Sequence, residues 1–342
     1  MRLERLVAAG ILFMGSQAQA MLIESGSFID EVERLKNLSF VSGSNLYVAP
    51  DLAQRSAFRS LANSIASGDT VSADAQAAAL DYEVVEFTDS NTGNTYLGLR
   101  EQLVNDQQTR GWGSYFFNTG ADVQVLIEAP HPRFDTNSWE IAASIYRDVN
   151  AAGFLMAGAH RNANGVGTAD VAHLTESIFQ EVHEAWTGAG ERDAWQIHGF
   201  NLDNHPIMPA DTDAVVTAGD GSVSSGMLAV DAFLEAAGLV TYGYNTLDVN
   251  DVLNQAINGS VDGQDFAGLG ATTNVQGDYT RSLGADFVHI EMEQSIRFDT
   301  NNRIAAAGAV VAAINSVEMP IPEPATLLLM LSATIPLLRR VT

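Results

Sequence analysis

The sequence predicts an α/β fold: a three-layer sandwich with a mostly parallel central sheet, preceded by a small N-terminal region that contains a β-hairpin. Beyond Gly120, short apolar runs alternate with helical segments, the rhythm of strands joined by helical crossovers. Before that point the chain is rich in Ala, Ser and Asp over 21–80, and then carries two strand-like runs around the turn-forming stretch TDSNTGN. Apolar residues make up 46% of the 342, which is enough for a sizeable core.

The elements follow in order. DLAQRSAFRSLANSIA has loose helical spacing and no evident chemistry. YEVVEF and TYLGLREQ form the hairpin, and GWGSYFF a further strand. VQVLIEA leads into the helix SWEIAASIYRDVNA, with Asn137 or Ser138 placed to cap it. GFLMAGA is the next strand. A helix is expected from Ala169 to about Thr187, because Val171, Leu174, Ile178 and Val182 recur at helical spacing. AWQIHGF and AVVTAG are strands, GMLAVDAFLEAAG is a helix, and DFVHIEME precedes the closing helix NNRIAAAGAVVAAI. Residues 246–283 are Gly-, Asn- and Asp-rich and suit an insertion or lid over a site. The expected divisions are a signal peptide at 1–20, a helical and hairpin region at 21–115, the α/β domain at 116–318 and a sorting segment at 319–342.

Both ends read as export signals. Arg2 and Arg5, the apolar LVAAGILFMG and the small-residue site Ala18-Gln19-Ala20 form a secretory leader, too short in its apolar part to span a bilayer. Over the whole chain, 42 acidic residues against 17 basic ones give a net charge of −25, which should repel nucleic acid and anionic membrane surfaces. There is no cysteine, so an exported chain of this kind holds together by packing or metal alone. No Gly-x-Ser-x-Gly elbow, phosphate-binding glycine loop or dinucleotide fingerprint is present, which leaves serine hydrolase and nucleotide chemistry without support.

Chemistry collects in the α/β half, which holds all seven histidines. His131, His160 and His198 stand at or just after the carboxyl ends of expected strands, where open parallel sheets form their ligand crevice. Zinc takes histidine nitrogens and carboxylate oxygens, and a catalytic site leaves one position for water. The set on offer is His131, then Asp135 or Glu140, then His198, with Asp135 preferred because it lies in the loop before the helix. The competing reading makes Asp135 a loop residue that accepts backbone hydrogen bonds. In FVHIEME, Phe287, His289, Glu291 and Glu293 share one strand face. A carboxylate beside an activated water takes its proton, and Glu291 is assigned as that general base with Glu293 as its alternate. The competing reading is an edge strand with one face in water. Arg161, next to His160, and Arg297 are placed to grip a substrate carboxylate. His160 and His173 are further substrate contacts, and His183 reads as structural.

Two resemblances add to this. PIPEPATLLLMLSATIPLLRRVT, with Pro322-Glu323-Pro324, an apolar stretch from Ala325 to Leu338 and Arg339-Arg340, resembles the PEP-CTERM sorting signal of bacteria that make extracellular polysaccharide. That resemblance implies a short transmembrane segment, handling by an exosortase-type membrane enzyme, transient anchoring and a final place at the cell surface or outside it. Over residues 123 to 315, the order of a His with a nearby acid, a strand-borne IH and a late IE followed by Arg resembles the zinc exopeptidase and amidohydrolase superfamily. HPRFDTNSWEIA is similar to the HGG-I-E-x-GT-x-E opening of poly-γ-glutamate hydrolases, with Asp135 in place of their glutamate and no glycine pair. WQIHGF resembles the strand with their third ligand, and VHIEMEQSIR the carboxypeptidase T-x-E-L-R strand, whose glutamate corresponds to Glu291.

The sequence thus predicts an exported, zinc-dependent amide or peptide hydrolase acting on a peptide, γ-glutamyl polymer or murein stem. The alternative is a non-catalytic acidic matrix or polysaccharide-binding protein on the same fold.

Overall fold

The computed structural model describes residues 21–190, 192–206, 208–244 and 267–318. The leader expected at 1–20, the sorting segment expected at 319–342 and residues 246–266 of the expected insertion lie outside them.

Among the described residues one mixed sheet has ten strands: β1 (Leu22–Gly26), β2 (Tyr82–Asp89), β3 (Thr95–Glu101), β4 (Ser114–Phe117), β5 (Val123–Ala129), β6 (Ala151–Met156), β7 (Asp193–Phe200), β8 (Ala214–Thr217), β9 (Thr241–Gly243) and β10 (Phe287–Glu293). Their order is β1-β2-β3-β4-β6-β5-β7-β10-β8-β9. The centre, β6-β5-β7-β10, is parallel, and the hairpin β2–β3 and then β4 extend the same sheet in antiparallel fashion. The hairpin is therefore continuous with the α/β core, and the boundary expected between 115 and 116 falls inside β4.

Helices cover both faces, which makes the three layers. On one face α1 (Phe28–Leu38), α4 (Ser138–Val149), α6 (Ser225–Ala236) and α9 (Thr300–Glu318) pack on the Val125, Ile127, Trp195, Ile197, Val288 and Ile290 side chains. On the other, α2 (Leu52–Ala66), α3 (Thr70–Ala79), α5 (Ile178–Gly188) and α7 (Val275–Ser282) meet Leu126, Leu155 and Phe287. Short α8 (Gln294–Phe298) leaves β10 directly. Local chemistry sets these bounds. Asp51 and Gln54 cap α2 reciprocally, satisfying two of its unpaired amides.

Three expectations change. The helix expected from Ala169 begins at Ile178, where the Ser177 hydroxyl accepts the Gln180 amide. Residues 161–176 are turns, held by Gly165 and Gly167 in the left-handed region and by Asn162 Oδ1 accepting the Gly167 amide. Asn137 occupies the cap position of α4 but makes no side-chain cap bond; its amide donates to the Arg297 carbonyl instead. A transmembrane segment is not sustained. Among the described residues no helix is long and apolar enough to cross a membrane, and α9, of 19 residues, carries Asn301, Asn302 and Arg303 in its first turn. The stretch on which that expectation rested, 325–338, lies outside the described residues, and no membrane span enters the account.

Candidate metal centre

The chain goes from β5 to β6 on one side of it and then crosses to β7 on the other, so the strand order reverses at β5. A parallel sheet opens a crevice outside the carboxyl ends of its strands at such a point. A cavity of about 450 Å³ lies there, walled by His131, Asp135, Arg161, His198, His289 and Glu291 among others.

The structure brings together residues 131, 135 and 198. The chain leaves β5 through Pro130 into a turn in which the Asp135 amide donates to the His131 carbonyl at 2.8 Å, and this folds the Asp135 side chain back on the histidine. Asp135 Oδ2 lies 3.3 Å from His131 Nδ1 and 3.2 Å from His198 Nδ1. All three side chains are at most 4% exposed, and Asp135 Oδ2 has no hydrogen-bond partner among the described residues. The far side of each ring explains which nitrogen carries its lone pair inward. His131 Nε2 is 2.8 Å from Asp170 Oδ1, and a carboxylate only accepts, so Nε2 holds the proton. His198 Nε2 is 3.1 Å from the amide oxygen of Gln196. Two imidazole nitrogens and a buried carboxylate oxygen therefore converge on one point, with the outer nitrogens as the ones that carry the ring protons.

A cation resolves that arrangement. Ligand bonds of ~2.0–2.1 Å in a tetrahedral site set neighbouring donor atoms about 3.3 Å apart, which the two measured separations match. Two nitrogens and one oxygen, all within 4.8 Å of one another, are donors that could hold a metal ion such as zinc. In the protein alone a second proton on His131 does the same work: burial opposes it, but Asp135 and Asp170 raise the group to about 9. Asp135 is pushed up by burial and pulled down further by His131 and His198, ending well below the usual carboxylate range.

Glu291 stands on the neighbouring strand, its backbone in register with His198. β10 lies between β7 and β8 with every residue buried, so it is not an edge strand. Burial first, and then the Asp135 charge, raise Glu291 to about 8. Its Oε1 is 3.7 Å from His289 Nε2, and its Oε2 has no hydrogen-bond partner among the described residues. His198, His289 and Glu291 form a second group of donors within 4.8 Å of one another, sharing His198 with the first.

The other expected site residues divide between the cavity wall and its surroundings. Glu140 is not brought to the centre: it sits in the first turn of α4 with Oε2 3.2 Å from Arg303, because the helix turns that face toward α9. Glu293 is not placed as a base, since its carboxylate accepts the Leu202 and Ser295 amides and caps α8. Arg297 is buried, and its guanidinium donates to the carbonyls of Met292, Thr136 and Phe200. It lines the cavity and at the same time ties the end of β10 to the loop after β5 and the end of β7, the three segments that carry the centre. Arg161 lines the cavity, pairs with Asp170 Oδ2 and lies over the Phe134 ring at 5.1 Å. His173 also lines it, exposed, with Nδ1 2.9 Å from the Thr273 carbonyl. His160 is outside the lining, with its ring edge on Phe134 and Nδ1 accepting the Asn162 amide.

Sequence reasoning sets His289 on the Glu291 face and Asp170 beside His173 but gives neither a part in the centre, and it leaves Gln196 unnamed although strand alternation puts it on the His198 face. Asp170 reaches His131 through turns, where a helix was expected.

No family model matches the chain, and no curated protein sequence matches it. Among solved structures it is similar to a gene product of Agrobacterium tumefaciens (13% identity, 58% of this chain and 92% of that one, TM-score 0.37). It is also similar to a bacteriophage poly-γ-glutamate hydrolase (13%, 57% and 85%, TM-score 0.35) and to the succinylglutamate desuccinylase of Chromobacterium violaceum (11%, 68% and 72%, TM-score 0.39). These scores are low, and the chemistry of the cleft rests on this chain's own residues.

Proposed function

We propose that the cleft is the active site of an exported zinc-dependent hydrolase that cleaves an amide bond in a carboxylate-bearing substrate. The observation that carries this is Asp135 Oδ2, buried without a hydrogen bond and set at tetrahedral spacing from two histidine nitrogens whose outer nitrogens are already engaged. His131, Asp135 and His198 would hold the ion. When bound, zinc supplies Lewis acidity, lowering the pKa of a water to near neutral and polarising the scissile carbonyl. Glu291, one strand from His198 and in register with it, would accept the proton of the attacking water in its ionised form and return it to the leaving amine. Asp170 orients His131 and anchors Arg161 at the rim, where the guanidinium's remaining donors and His173 meet an anionic group of the substrate. Export rests on the leader-like and sorting-like ends of the sequence; peptide, γ-glutamyl polymer and murein stem all fit the substrate description.

Metal analysis of protein purified without added zinc tests this, paired with an activity screen on short amides. The expected result is near one equivalent of metal in the wild type, loss of it in His198→Ala and chelator-sensitive hydrolysis. No metal in either sample contradicts the reading and favours a non-catalytic surface protein.

A further inference from the structure

Below the cleft, one polar row crosses four strands. β5 sets Glu128 beside Gln196, β7 sets Gln196 beside His289, and the antiparallel pairing of β10 with β8 adds Thr217. Each is at most 4% exposed, and Glu128 is fully buried, away from the cavity wall. The hydrolytic reading gives Glu128 nothing to do, yet a carboxylate is costly in such a place unless its oxygens are fully used. They are: Oε1 is 2.7 Å from His183 Nδ1, whose far nitrogen meets the Thr280 hydroxyl at 3.1 Å, and Oε2 is 2.7 Å from Gln196 Nε2.

That last bond has a directional consequence. Because a carboxylate only accepts, Gln196 must turn its NH₂ toward Glu128 and its oxygen away. Asn274 Nδ2, which donates to the same oxygen at 2.7 Å, imposes the same sense. The oxygen then faces His198 Nε2, which must carry the ring proton.

We propose that Glu128, acting through Gln196, is a positioning residue that holds His198 in its Nε2–H tautomer and so turns the Nδ1 lone pair toward the ion. This rests on the metal-site reading above. The two histidine ligands are thereby oriented differently, His131 by a carboxylate in direct contact and His198 by a neutral amide with its carboxylate one residue further away. Partners of this kind alter metal affinity about 10–100-fold when removed.

Histidine-labelled full-length protein at pH 8, observed by two-bond ¹H–¹⁵N NMR with and without one equivalent of Zn²⁺, tests the tautomer directly. The wild type should show His198 protonated at Nε2 in both states. Glu128→Gln should give mixed tautomers and about 10–100-fold weaker zinc binding. The exchange Glu128→Gln with Gln196→Glu restores the donor–acceptor pair between the two positions and keeps an acceptor facing His198 and Asn274, losing the bond from Gln196 Nε2 to Gln276 Oε1, and should restore the tautomer and part of the affinity. A wild-type His198 protonated at Nδ1 overturns the proposal without any variant having to fold. Zinc binding with a tautomer that ignores position 128 overturns this relay alone. A tautomer that follows position 128 in a protein that binds no zinc overturns the metal reading and, with it, the purpose assigned to the relay.

Discussion

A buried carboxylate oxygen held beside two imidazole nitrogens is stable only if something positive shares the space; a metal and an additional proton are the two candidates. At Asp135 the two compete, because the proton that Asp135 and Asp170 hold on His131, by raising it to about 9 against burial, must leave when an ion enters. The base assignment can be separated from the ligand assignment. Glu291→Gln keeps the side-chain shape, and should lower kcat about 10²–10⁴-fold with zinc content unchanged. Zinc lost along with activity would make Glu291 a ligand, as its grouping with His198 and His289 also allows. His131, Asp135, His198 and Glu291 could be read from the sequence because each sits on or just beyond a strand with a clear apolar pattern. Glu140 and Glu293, the alternates, stand away from the centre for a physical reason that sequence does not carry. Each has a local partner, Arg303 for one and the backbone amides at the start of α8 for the other.

At the scale of elements, two packing details bear on stability. Gly199 lets the Arg297 guanidinium lie flat across β7; an added Cβ would collide with it. Gly199→Ala should therefore cost about 1–3 kcal/mol, typical of overpacking, and lower zinc occupancy by loosening the three carbonyls that Arg297 joins. A thermal melt and a metal assay on the same sample read both, and an unchanged melt would show that the guanidinium has room to move. On α6, Asp231 belongs to the buried face and its Oδ1 has no hydrogen-bond partner among the described residues. Burial, then Glu235, raise it to about 7, above the ~3.9 of an unfolded chain. A raised carboxyl favours folding at low pH, and that favour is lost as pH climbs from about 4 through about 7. Asp231→Asn should therefore match the wild type near pH 4 and exceed it by about 1–3 kcal/mol at pH 8, read by denaturant melts at both pH values. An equal effect at both would remove ionisation as the cause.

For the whole molecule, the alternation of strands and helices beyond residue 120 was enough to predict the parallel centre, because its strands are buried on both faces and read as apolar runs. The part played by residues 21–80 was not legible. β1 is five residues with alternating exposure, and its pairing with β2 is a long-range choice that no local pattern announces. The same limit hid Asp170, which is delivered by turns. What the topology does fix is convergence, since β5, β7 and β10 run parallel and adjacent and must deliver their ends to one place. X-ray absorption at the zinc edge of the loaded protein tests that convergence most directly. The account predicts two imidazole nitrogens and one or two oxygens at ~2.0–2.1 Å. A shell of oxygens alone, as surface carboxylates would give, would contradict it.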